Sequence, residues 1–142
     1  MKKLFIVAFV VGVAAASACC QKLNESQIPA TVKAAFQKQY PSVKASWDKE
    51  DTNYEANFKL DGKAMSAVID KNGTIVETET DIPVTDLPKA IQDYMKKNYP
   101  GAKIEEAAKI VKANGDINYE AEVHHKDVIF DANGKFIKEA KD

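Results

Sequence analysis

Apolar residues recur every four positions at Ile28, Val32, Phe36 and Tyr40, and again at Leu87, Ile91, Met95 and Tyr99. That spacing puts each set on one face of a helix. Pro29 and Pro88 fall in the first turn, where a missing N–H costs little. Ser26 is the expected N-cap of the first helix, and Thr85 or Asp86 that of the second. Pro41 and Pro100 push the tyrosines before them out of helical geometry, so both helices should stop there. Each is about three turns long, too short to be stable alone. Each stripe must therefore pack on something.

The pattern then changes to strict alternation. Val43, Ala45 and Trp47 alternate with Lys44, Ser46 and Asp48; Tyr54, Ala56, Phe58 and Leu60 alternate with Glu55, Asn57 and Lys59. A period of two with one polar face predicts half-buried strands. Asp61-Gly62 is a hairpin signal, and Asn72-Gly73 predicts a second, type I′ turn. The later segments Lys103 to Val111, Ile117 to His125, Val128 to Asp131 and Lys135 to Glu139 read the same way. Their turns are expected near His125-Lys126-Asp127 and at Asn133-Gly134.

The two halves match. Ile28-Pro29-Ala30-Thr31-Val32 aligns with Leu87-Pro88-Lys89-Ala90-Ile91, and Tyr40-Pro41 with Tyr99-Pro100. Asn53-Tyr54-Glu55-Ala56 then aligns with Asn118-Tyr119-Glu120-Ala121, and Asp70-Lys71-Asn72-Gly73 with Asp131-Ala132-Asn133-Gly134. The order is kept while the offset drifts by a few residues, as loop insertions would produce. The expected fold class is α+β: two tandem units, residues 26–82 and 83–142, each one helix followed by about four antiparallel strands. A unit of about 55–60 residues is near the lower limit for independent folding. Edge-to-edge pairing would give one larger sheet with both helices on the same face.

The N-terminus follows other rules. Met1-Lys2-Lys3 is basic, Leu4 to Ala16 is apolar and small, and Ala16-Ser17-Ala18 offers the small residues that signal peptidases accept. Residues 1–18 thus read as a secretory signal. The run is shorter than the roughly 18–20 residues that span a bilayer. Residues 19–25 form a linker that holds both cysteines, Cys19 and Cys20. Either a general signal peptidase cuts at Ala16-Ser17-Ala18, or Cys19 is the lipidated first residue of a lipoprotein, tethered without a spanning helix. Both readings stand. No disulfide staples the folded region, which has no other cysteine.

Composition changes little. The chain has 142 residues, 45% hydrophobic and 29% charged, with net charge −1. Lysines and acids are interspersed, so nucleic acid is not an expected partner. The Asp-x-Asn-Gly segments at Asp70 and Asp131 lack the closing glutamate of a calcium loop and read as turns. His124-His125, taken as strand neighbours, point to opposite faces and are not expected to share a metal. Tyr40 and Tyr99 are expected as core residues with the hydroxyl at the surface. Trp47 either packs in the first core or stands exposed as a partner anchor. No cysteine or serine has a nucleophile's partners, and no Gly-rich phosphate loop exists. Glu50-Asp51 and Glu105-Glu106 look solvated, with no raised pKa expected. No catalytic, cofactor or metal residue is therefore assigned, and no enzyme activity is expected.

Tyr99 to Lys103, Tyr119 to Val123 and Val128 to Phe136 together resemble the periplasmic PepSY-like family, also described as β-lactamase-inhibitor-like. Tyr40 to Lys44, Tyr54 to Phe58 and Val68 to Gly73 carry a looser version. The resemblance covers nearly all of residues 26–140, but its motifs are helix stops and hairpin turns, so it transfers no functional residue. It implies a tandem α/β fold with an antiparallel sheet, and binding or inhibition of another secreted or envelope protein. Contact with a membrane is expected only through a lipid on Cys19. A binding module predicts an apolar or aromatic patch on the sheet face away from the helices. The alternative, a small-ligand carrier, predicts a pocket between helix and sheet or between the units.

Overall fold

The computed structural model describes residues 21–141. The expected signal segment, Cys19 and Cys20 lie outside them. The described residues divide into two compact units, parting between Thr78 and Glu79. The fold is α+β, with antiparallel strands and, among the described residues, two α-helices. No helix among the described residues is long and apolar enough to cross a membrane.

The first unit runs β1 (Gln21–Leu23), a 3-10 turn (Glu25–Gln27), α1 (Ala30–Gln39), β2 (Ser46–Glu50), β3 (Asn53–Leu60) and β4 (Lys63–Ile69). Strand β5 (Ile75–Asp81) carries the division between the units. β1 to β4 pair antiparallel in sequence order. The second unit holds a 3-10 turn (Val84–Asp86), α2 (Lys89–Asn98), β6 (Ala107–Lys112), β7 (Ile117–Val123), β8 (Lys126–Asp131) and β9 (Phe136–Lys141). β6 to β9 also pair in order, with an irregularity at Ile129/Phe130. The short strand β1 has no counterpart in the sequence pattern.

The helices begin later than Ser26 and Thr85 suggest. Those residues lie in the 3-10 turns, and Pro29 and Pro88 are the N-caps. The reason is local. A residue before proline is forced out of helical geometry, and Ile28 (ψ 126°) and Leu87 (ψ 139°) are both extended. The capping chemistry therefore serves the short turn: Gln27 Oε1 accepts from the Asn24 amide at 2.8 Å. Both helices end at Tyr40 and Tyr99, as the following prolines require.

Each stripe buries against its own strands. Ile28, Val32, Phe36 and Tyr40 pack with Trp47, Ala56, Phe58, Ala67 and Ile69. The Phe36 ring meets Trp47 and Phe58 edge-on at 5.4 and 5.2 Å. Leu87, Ile91 and Met95 pack with Ala107, Ala121, Val123, Val128 and Phe130. Burial of about 1.5–3 kcal/mol per large side chain anchors helices that propensity alone would not hold.

The Asp-x-Asn-Gly segments are turns, though not type I′ turns. Asp70 Oδ1 accepts from the amides of Asn72 and Thr74, and Asp131 Oδ1 from those of Asn133 and Lys135, all within 2.9 Å. Only the glycine takes positive φ, 84° at Gly73 and 80° at Gly134, so Asn72 and Asn133 are not left-handed as type I′ would need. The glycines also lie under the helices. A Cβ on Gly134 would stand 2.7 Å from Ala90 Cβ, and one on Gly73 would stand 3.0 Å from the Thr31 carbonyl oxygen.

Candidate functional site

The β2–β3 register sorts the first unit's polar residues by face. Trp47 pairs with Ala56 and Lys49 with Tyr54 on the side that meets α1. The alternate positions, Asp48 opposite Glu55 and Glu50 opposite Asn53, point to the other side. Across β3–β4, Asn57 pairs with Ser66 and Glu55 with Val68 on that same side. Three carboxylates thus share one strand face. Asp48, Glu55 and Ser66 are buried there, and Glu50 is half-buried.

The carboxylates are under-satisfied. Asp48 Oδ2 accepts from the Asn57 side-chain amide at 3.1 Å. Asp48 Oδ1, Glu50 Oε2 and Glu55 Oε1 have no hydrogen-bond partner. Burial pushes Glu50 up to about 8, helped by the negative charges of Glu55, Glu77 and Asp51. Burial pushes Glu55 up to about 7, with the side chains of Ser66 and Asn57 offsetting part of the effect and the Asp48 charge adding to it. In the second unit, burial and the Glu106 charge raise Asp81.

These findings correct two expectations. The Glu50-Asp51 stretch is not simply solvated, because strand alternation turns Glu50 onto a face already crowded with acids. That face of the first unit is acidic rather than apolar or aromatic. The signal lay in the sequence as Asp48, Glu50 and Glu55, all on the polar side of alternating strands. It needed the β2–β3 register to bring them together.

Trp47 is only 7% exposed and belongs to the first core. Of its two readings, the structure places it in the packing one, edge-on to Phe36. Tyr40 is buried with it. Tyr99 is half-buried, and its hydroxyl donates to Glu139 Oε2, which shares that carboxylate with Lys126 Nζ at 2.6 Å. Burial, then the Glu139 carboxylate, pushes the Tyr99 hydroxyl up to about 12.

His124 and His125 are not strand neighbours. They form the two-residue turn between β7 and β8, both with positive φ, 51° and 58°. The turn comes earlier than His125-Lys126-Asp127, because Val123 pairs with Lys126. Val123 also lines a cavity of about 370 Å³ in the second unit, together with Val84, Met95, Lys96, Lys103 and Ile104. Its walls are mainly apolar, with the two lysines as cationic groups.

The family model described as "Putative beta-lactamase-inhibitor-like, PepSY-like" matches residues 17–76 and, overlapping them, 52–138. Among curated proteins none matches. Among solved structures, a putative periplasmic protein from Bacteroides eggerthii is similar with a TM-score of 0.71 at 16% identity, covering 78% of this chain and 86% of that one. A BLIP-like protein from Bacteroides fragilis is similar with a TM-score of 0.59 at 21% identity, covering 78% and 84%. Identities this low speak to the fold alone.

Proposed function

This chain belongs to the PepSY-like family, and from that premise we propose that it is an exported, non-catalytic module that binds, and thereby inhibits, another secreted or envelope protein. The docking point is the accessible margin of the acidic strand face of the first unit, at Glu50, and a basic segment of the partner is what it takes. The observation that carries this reading is the set of unpartnered oxygens at Asp48, Glu50 and Glu55. A lysine or arginine from a partner would supply the missing donors, and hydrogen bonds to charged groups are the strong ones. Half-buried Glu50 is the entry point. The two sequence-matched units are read as copies of one helix-plus-strands ancestor, each carrying its own core. The periplasm is the expected place of work, with or without a lipid on Cys19.

The test is a pull-down from envelope extract with the wild-type protein and with the Glu50→Gln/Glu55→Gln variant, identified by mass spectrometry. One saturable partner, lost in the double variant and weakened as pH falls from 8.5 to 6, supports the reading. A partner retained equally by both proteins removes the acidic face from the account.

A second reading rests on the cavity beside Met95, Ile104 and Val123. Its volume lies within the range of ligand sites, and Lys96 and Lys103 suit an anionic headgroup. Under this reading the protein carries a small amphipathic anion. Native mass spectrometry showing such a molecule co-purified, with no protein partner captured, would favour it.

A further inference from the structure

At the tip of the β7–β8 hairpin, Glu105, Glu122 and His125 each bring one donor atom into a group whose members all lie within 4.8 Å of one another. We propose that these three side chains form a binding site for one divalent transition-metal ion of borderline softness, with Zn²⁺ as the probe. One imidazole and two carboxylates make a donor set suited to such an ion.

The backbone assembles this set. The Glu105 amide donates to the Glu122 carbonyl at 2.8 Å, and the Glu122 amide donates to the Glu106 carbonyl at 2.9 Å. Two residues thus stand against one, the count of a β-bulge, a device that re-aims side chains at strand ends. Across the other edge of β7, Glu122 stands opposite the buried acid Asp127. From the turn, His125 reaches back over Glu122 with Nδ1 3.8 Å from Oε1. That gap is too long for a hydrogen bond. Ligand atoms around a tetrahedral ion at about 2.0–2.1 Å stand about 3.3–3.5 Å apart, so this pair must close by about half an ångström and no pair in the group by more than about 1.5 Å. Glu122 is 10% exposed and His125 75%, so one ligand is fixed by packing and another is open to an incoming ion.

The first unit gives an internal contrast. Its matching hairpin, β3–β4, turns on Asp61-Gly62, with Lys59 one residue before the strand end. Those are favoured residues for a turn that needs left-handed backbone at both positions. The second unit has His124-His125 and Glu122 at the corresponding places, and both histidines adopt positive φ, which is uncommon outside glycine. Histidine is one of the residues that left-handed backbone tolerates, and of the two only His125 brings a donor atom to Glu105 and Glu122.

The experiment is isothermal titration of Zn²⁺ into untagged, metal-free protein. It is done in a C19S/C20S background, so that the thiols outside the folded region do not bind the ion. The expected result is one ion per chain with a micromolar or tighter dissociation constant. His125→Ala and Glu105→Gln should each weaken binding about 10-fold or more, and His124→Ala should change it less than about twofold. Both weakening substitutions are at exposed positions, and unchanged circular dichroism melts will confirm folding. An NMR shift of the His125 imidazole on adding Zn²⁺, absent for His124, places the ion. No saturable binding, binding undiminished in His125→Ala, or a preference for Ca²⁺ over Zn²⁺ would overturn the proposal.

Discussion

Asp48 and Glu55 stand directly opposite each other across the β2–β3 pair, two acids on one face with Glu50 diagonal to them. Like charges in that position are destabilising once ionised. Glu50 is held at about 8 and Glu55 at about 7, against a usual value of 4.5. Both groups therefore bind a proton more tightly in the folded chain than in the unfolded one. Their penalty is absent below the unfolded value, grows as pH rises above about 4.5, and is complete once pH exceeds about 8. The protein should accordingly lose stability between pH 5 and pH 9. Glu50→Gln should be nearly neutral at pH 5 and stabilising by about 1–3 kcal/mol at pH 9. Urea melts of both proteins at the two pH values check this; equal stabilisation at both would show that Glu50 is not the titrating group.

Trp47 is the one tryptophan in the chain and it sits among Phe36, Ala56 and Phe58. Its fluorescence should be blue-shifted and poorly quenched by acrylamide in the folded protein. Trp47→Ala should cost about 3–5 kcal/mol, the range for removing a large buried aromatic. Any loss of partner binding in that variant should follow unfolding. If Trp47→Phe keeps stability but abolishes binding, the side chain has a contact role that its packing does not show.

Gly62 and Gly134 both have positive φ, 78° and 80°, but their surroundings differ. Nothing lies within 4 Å of a Cβ built on Gly62, whereas one on Gly134 would meet Ala90 and Ile91 of α2. Gly62→Ala should cost about 1 kcal/mol, the backbone term alone. Gly134→Ala should cost about 2–4 kcal/mol, because helix and turn must move apart. Thermal denaturation of the two variants side by side distinguishes them, and equal shifts would mean that α2 yields without cost.

The sequence by itself determined the helical stripes, the helix stops at Tyr40 and Tyr99, and the alternation of the strands. These follow from short-range rules: a period near 3.6 or 2, and the steric demand of proline on the residue before it. The same short-range logic failed at the helix starts, where Pro29 and Pro88 overrode the capping signals at Ser26 and Thr85. It failed again at His124-His125, where one residue of register decides whether a pair lies on a strand or makes the turn. Only the tertiary structure decided which polar residues meet. Asp48, Glu50 and Glu55 become one acidic face through pairing of β2 with β3, and Glu105 reaches Glu122 and His125 through the backbone bonds ahead of β6. Burial then raises Glu50 and Glu55. The identity of a carboxylate fixes its ordinary pKa, but what excludes water from it and which charges face it belong to the fold.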